Sequence, residues 1–258
     1  MQFKKLEFSN AAGQKLSARI DLPEGQKPVA YALFAHCFTC SKNIKAISNI
    51  SRALTREGIA VLRFDFTGLG ESEGDFADTN FSSNVDDLVM AAEFMADNHQ
   101  APKVLIGHSL GGAAVLQAAE KIPSAVAVIT IAAPADPGHV SHSLGNSKEV
   151  IERRGEATVD LAGRNFKIKK QFLDDLESVR MQKTIRNLNR ALLILHSPID
   201  DVVGIENAAK IFQTARHPKS FISLVNADHL LMDRKDSTYA GSIIATWARR
   251  YLGTEVIR

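Results

Sequence analysis

Two cysteines, one tryptophan and eight prolines are spread over 258 residues, and each scarcity removes a class of protein. Cys37 and Cys40 stand three positions apart, too few and too close to staple a secreted disulfide scaffold. A reducing cytoplasm is therefore the expected compartment. Charge of one sign is lacking as well: 31 Lys and Arg against 29 Asp and Glu leave +2, which points to neither nucleic acid nor an anionic membrane as partner. No apolar run approaches the ~20 residues of a membrane-spanning helix. The longest, Ala125 to Ala135, is interrupted by Thr130 and Pro134 and reads as a buried strand. The alternating N-terminus, with Phe3, Leu6 and Phe8 set among Lys4, Lys5 and Glu7, has neither the apolar core nor the cleavage site of an export signal.

What is present is a globular composition, 45% hydrophobic and 23% charged, long enough to bury about 70% of its surface in one core. The segments 3–8 and 15–22 alternate about a turn at Asn10 to Gly13 and predict an antiparallel hairpin. From Val29 onward short apolar runs alternate with helical patterns: strands 29–36, 59–66, 103–108 and 125–132, and helices 41–57, 85–98 and 110–121. Parallel strands must return through covering crossovers, so this alternation predicts an α/β fold with helices on both faces of a mostly parallel sheet. Gly58 suits a left-handed helix end, and Ser83 or Asn84 suits the cap of the next helix ahead of Asp86 and Asp87. The rhythm breaks over residues 135–190, an expected cap inserted in a single domain of residues 1–258. Within it lie a short helix near 148–154, a strand pair 157–161 and 165–168 about Ala162-Gly163, and a helix over 170–180. Strand 191–196, helix 205–216, strand 219–225 and helix 237–252 then complete the pattern.

The strongest chemical signal is Gly107-His108-Ser109-Leu110-Gly111-Gly112 between a strand and a helix. A serine in so tight a turn has strained backbone angles, and flanking glycines let neighbouring chain pass without a Cβ clash. The helix N-terminus below it, with the N–H of Leu110, suits charge developing on a carbonyl oxygen. A serine hydroxyl needs a base and an orienting acid. His229 follows strand 219–225, and Asp200 follows strand 191–196, with Asp201 as the rival acid farther from the strand. Asp228 reads as a brace of its loop, His196 as packing near the acid turn, and His108 as support for the elbow.

Together with His36-Cys37-Phe38 and Asp65-Phe66-Thr67-Gly68-Leu69-Gly70-Glu71-Ser72, these motifs resemble the α/β-hydrolase superfamily over nearly the whole chain. Within it the text is similar to small esterases akin to cinnamoyl and feruloyl esterases. The wording of 34–42 and 133–137 resembles the hydrolase half of bacterial proteins in which it precedes an OsmC-like hydroperoxide reductase domain; the 258 residues hold no such domain. The resemblance implies the α/β-hydrolase fold, Ser109 as nucleophile, His229 as base then acid, Asp200 as orienter, and the N–H groups of Phe38 and Leu110 as oxyanion hole. His36, Cys37 and His108 are expected at the binding site. Cys37 stands where the family usually has glycine. It implies a small-molecule ester substrate, neither cofactor nor metal, and a functional link to an OsmC-like reductase.

Several readings stay open. Cys37-Phe38-Thr39-Cys40 has C-x-x-C spacing and reads as two small residues shaping a loop. The alternative is an oxidative switch, which needs a helix starting near Ser41 to lower a thiolate pKa. His139 and His142 lack a third ligand in register for a metal. Arg164, Lys167, Lys169 and Lys170 make the cap basic, as a solvated face or as an attraction for an acidic substrate. Phe166, Phe172, Leu173 and Leu176 either line an acyl pocket or pack the cap on the sheet. The expected activity is a carboxylesterase using an acyl-enzyme; the alternatives are a perhydrolase and a non-catalytic module serving a hydroperoxide reductase.

Overall fold

The computed structural model describes residues 2–161 and 163–253, with the side chains of His142 and Ser143 excluded. The hairpin of β1 (Gln2–Ser9) and β2 (Lys15–Leu22) joins β3 (Ala30–Ala35), β4 (Ile59–Phe64), β5 (Val104–His108) and β6 (Ala127–Ile131). Two strands beyond the insertion, β9 (Ala191–His196) and β10 (Lys219–Ser223), complete a sheet of eight in the order β1-β2-β4-β3-β5-β6-β9-β10. β1 and β2 pair antiparallel, β2 pairs antiparallel with β4, and all other neighbours are parallel.

The parallel strands read as continuous apolar runs because both faces are covered. Leu33, Leu105, Leu192 and Ile194 enter the core shared with α2 (Phe81–Asn98) and α3 (Leu110–Ala118). Their neighbours Phe34, Ile106, Leu193 and Leu195 face α1 (Lys45–Arg56) and α8 (Arg234–Leu252). The period of two along each strand distributes side chains between the two layers. Gly58, with φ 82°, ends α1 as expected. The start of α2 lies four residues earlier than the periodicity suggests. Asn80 caps it, accepting from the Ser83 N–H at 2.8 Å, while the Ser83 hydroxyl accepts from the Asn80 N–H at 2.9 Å. The reciprocal capping box replaces the expected caps Ser83 and Asn84. Asp87 is likewise no first-turn acid: it is buried and accepts from the Thr67 N–H at 2.9 Å.

Between β6 and β9 lie a 3-10 segment Pro137–Leu144, α4 (Ser147–Arg154), the hairpin β7 (Glu156–Leu161) and β8 (Arg164–Lys169), α5 (Lys170–Ser178) and α6 (Met181–Arg186). The single helix expected over 170–180 is thus two, parted by extended backbone at Val179. Ala162, in the expected hairpin turn, lies outside the described residues. α7 (Glu206–Thr214) links β9 to β10. Phe172, Leu173 and Leu176 are 2–4% exposed and belong to the main core, so they pack the cap on the body. Phe166 and Phe172 complete an aromatic cluster, with Phe38–Phe172 centroids 5.4 Å and Phe76–Phe166 centroids 5.1 Å apart.

A chain of charges, buried from Asp21 to Asp65 and exposed at Glu71, braces the segment after β3. The Arg63 guanidinium, 1% exposed, donates to Asp21 at 2.9 Å and to the Lys42 carbonyl at 2.6 Å. Lys42 Nζ reaches Asp65 at 2.5 Å and Glu71 at 2.7 Å, and Asp65 also accepts from the Lys42 and Glu71 N–H groups. The glycine-rich stretch from Asp65 to Gly74 is thereby a structural turn. A Cβ at Gly70 would lie 2.2 Å from the Asp65 carboxylate. Removing one partner of a buried pair leaves the other charge uncompensated. Lys42→Met is expected to lower unfolding free energy by about 3–5 kcal/mol in urea titrations; a loss under about 1 kcal/mol would show that the pair does not brace the fold.

Candidate active site

Ser109 follows β5 at φ 54° and ψ −126°, backbone angles that side-chain-bearing residues avoid. Close packing holds it there. A Cβ on Gly107 would stand 2.1 Å from the Gly111 carbonyl oxygen, one on Gly111 2.4 Å from the His36 carbonyl oxygen, and one on Gly112 2.5 Å from the Ala133 Cβ. The three glycines let β5, α3 and the loop after β3 approach to backbone contact. Leu110, first residue of α3, has no intrahelical acceptor for its N–H.

Strand ends bring the other two side chains to the serine. His229 Nε2 lies 3.0 Å from Ser109 Oγ, and His229 Nδ1 lies 2.8 Å from Asp200 Oδ2. The carboxylate fixes the tautomer: Nδ1–H donates to Asp200, so Nε2 is left to accept the serine proton. Asp200 Oδ1 accepts from the Val202 and Val203 N–H groups at 3.0 and 2.9 Å. Burial pushes this carboxyl up, but His229 and the two peptide donors outweigh it and hold the group below the usual aspartate range. Asp201, the rival acid, is exposed. Asp228 accepts from the Leu230 N–H at 2.8 Å and braces the base loop.

Two expected binding residues do not reach the cleft. His36 is 1% exposed; its Nδ1–H donates to the Cys37 carbonyl at 2.8 Å and its Nε2 accepts from the Phe66 N–H at 3.3 Å. His108 is buried beneath the elbow and donates through Nε2 to the His229 carbonyl at 2.7 Å. His196 does the same for the acid turn, donating to the Val203 carbonyl at 2.6 Å. Each buried imidazole holds a backbone carbonyl in one of three loops, those carrying Phe38, His229 and Asp200. Burial lowers the pKa of all three, that of His108 to about 4. Sequence order alone places His36 and His108 beside the motifs; only the sheet shows that they support them from behind.

Cys37 does line the cleft, joined to Cys40 in a disulfide. The pair expected to shape the loop as two small residues does so as a covalent bridge. The helix expected near Ser41 to lower a thiolate pKa begins instead at Lys45. The positive φ of this turn falls at Thr39, 61°, so no glycine is needed at position 37. Phe38, whose N–H is the second expected oxyanion donor, is one of the two residues enclosed by the bridge. The cleft beside Ser109 and His229 has a volume of about 650 Å³ and apolar walls from Ile44, Val140, Leu161, Val202, Leu230 and Met232. The phenylalanines of the cap do not line it. His139 Nε2 meets the Val202 carbonyl at 3.0 Å, and the side chain of His142 lies outside the described residues.

Residues 26–154, half of the chain, match the family described as serine aminopeptidase, S33. The crystallised esterase domain of a Rhodothermus marinus protein is 53% identical, with a TM-score of 0.81 over 98% of this chain and 100% of that one. The chain belongs to the α/β-hydrolase superfamily. Ferulic-acid-bound Est1E of Butyrivibrio proteoclasticus shares the fold at 19% identity, with a TM-score of 0.79 over 96% of this hydrolase and 100% of that chain. The mitochondrial palmitoyl-protein thioesterase ABHD10 of Mus musculus is 28% identical over 69% of this chain, which spans 62% of that relative's length.

Two outcomes test the supports of this hydrolase site. Reducing Cys37–Cys40 with a dithiol, or Cys40→Ser, frees the oxyanion loop and is expected to lower kcat by about 10-fold to 100-fold, short of the 10²–10³ for losing a donor outright. Unchanged kcat after verified reduction would show that the bridge does not order the loop. The second concerns acid. A histidine whose folded pKa lies below about 6.5 binds its proton more readily when unfolded, so its share of stability is full above about pH 6.5 and falls as pH drops toward 4. His108→Gln, which retains a donor without titrating, is expected to lose less stability than the parent across that interval in urea titrations; equal losses would contradict the burial argument.

Proposed function

We propose that the chain is a carboxylesterase acting on short acyl or arylacyl esters through an acyl-enzyme at Ser109. The observation that carries this reading is the hydrogen-bonded series Ser109–His229–Asp200 at the wall of an apolar cleft. In the proposed first step His229 Nε2 takes the hydroxyl proton while Oγ bonds to the ester carbonyl carbon. The carbonyl π pair moves to oxygen, where the N–H groups of Phe38 and Leu110 receive it. Collapse expels the alcohol, which takes the proton from the imidazolium. Water then repeats the sequence, releases the acid and restores the serine. Asp200 stays ionised throughout and stabilises the imidazolium.

Serine as nucleophile restricts the chemistry to acyl transfer, and thioesters fit the same steps, as the name of the mouse relative suggests. The intact hydrogen-bonded series favours turnover over a binding module that only serves a reductase. A series of p-nitrophenyl esters of increasing acyl length is expected to be hydrolysed, with Ser109→Ala lowering kcat by about 10⁴ or more while circular dichroism is unchanged. Turnover near the parent rate in that variant would refute the assignment.

A further inference from the structure

The side chains that line the cleft beside Ser109 carry charge of one sign only. Arg164 and Lys45 line it together with Ser109 and His229, and no aspartate or glutamate does so among the described residues. The three lysines that follow Arg164 in the chain are balanced: Lys167 pairs with Glu156, Lys169 with Asp78 and Lys170 with Asp174. Arg164 has no carboxylate partner among the described residues. Its guanidinium lies 5.2 Å from the centroid of Phe166 and donates to the Thr39 carbonyl. That contact anchors one amino group over the oxyanion loop, while a guanidinium carries five N–H donors in a rigid planar fork. Arg164 and Lys45 are both exposed to solvent, and an unbalanced cation in a concave site raises the local concentration of anions.

We propose that Arg164, assisted by Lys45, is a specificity-determining residue that binds an ionised carboxylate carried by the ester substrate away from its scissile bond. The substrate class is then a half-ester: an apolar spacer filling the walls of Ile44, Val140 and Leu161, with an acid group at its far end. This rests on the proposed esterase reading. The guanidinium meets the carboxylate through charge-assisted hydrogen bonds, a geometry that the rounder ammonium of lysine matches less well.

Matched esters test it. Mono-p-nitrophenyl adipate against p-nitrophenyl hexanoate places the acid on the acyl side, and 3-carboxyphenyl hexanoate against phenyl hexanoate places it on the leaving side. In one pair the parent enzyme is expected to favour the anionic ester in kcat/KM, mostly through KM. Arg164→Ala is expected to lower that anionic-to-neutral ratio by at least about fivefold, the order of one ordinary net hydrogen bond, with Arg164→Lys retaining part of it. The pair that responds identifies the side on which the acid sits. A ratio reduced less than about fivefold in both pairs overturns the proposal, and hydrolysis of the neutral esters by the same preparations shows that the esterase reading stands without it. Failure of the parent to cleave any of the four overturns that reading, and the subsite with it.

Discussion

A backbone conformation that side-chain-bearing residues avoid, at Ser109, fixes the geometry on which the rest of the site depends. Nothing in the serine favours φ 54°; its surroundings impose it. The Ser109 N–H is bonded to the Ile131 carbonyl at 2.8 Å, and its carbonyl accepts from the Gly112 N–H at 2.8 Å, while three glycines permit contacts that any Cβ would block. The cost of such a residue is of order 1–3 kcal/mol, and the apolar sheet beneath offsets it. Thr39 and Leu231, in the oxyanion and base loops, also have positive φ. With Ala132, these residues follow the carboxyl ends of four strands of the sheet, β3, β5, β6 and β10.

Two buried polar layers stabilise these loops. The histidines His36, His108 and His196 each hold a carbonyl of a loop at the site, carrying Phe38, His229 or Asp200, through a neutral ring. Behind the oxyanion loop, the charges of Asp21, Arg63, Lys42, Asp65 and Glu71 form a continuous chain from β2 to the turn after β4. Such a chain gains little net stability over apolar packing, since desolvation offsets attraction. What it supplies here is position: both the amide and the side chain of Lys42 are tied to Asp65, so the segment carrying Phe38 is anchored at its far end. The disulfide and the aromatic contact with Phe172 restrain the near end.

Most of the frame was legible in the chain. Short apolar runs separated by helical periods define the parallel sheet, and the glycines about Ser109 define its elbow because the turn itself requires them. Asp200 and His229 could be read because a strand end is a positional signal. The rest depended on three-dimensional neighbours. Arg63 and Asp21 sit in strands where a charge looks like an outward-facing residue, and only the pairing of β2 with β4 buries them together. The phenylalanines of the cap look equally suited to pocket or core. The spacing of Cys37 and Cys40 fits a disulfide, a thiol pair or chance, and the turn through Thr39 decides among them. The helix boundary at Asn80 escaped because the capping box lies outside the apolar period.

The central claim is that Ser109 delivers its oxygen to a carbonyl whose negative charge falls between two peptide N–H groups. The crystal structure of the protein inactivated by an alkyl fluorophosphonate tests it most directly. The account predicts phosphorus bonded to Ser109 Oγ, with one phosphonyl oxygen at roughly 2.7–3.1 Å from the amide nitrogens of both Phe38 and Leu110. A phosphonyl oxygen directed away from those amides, or an adduct on any other residue, would contradict it.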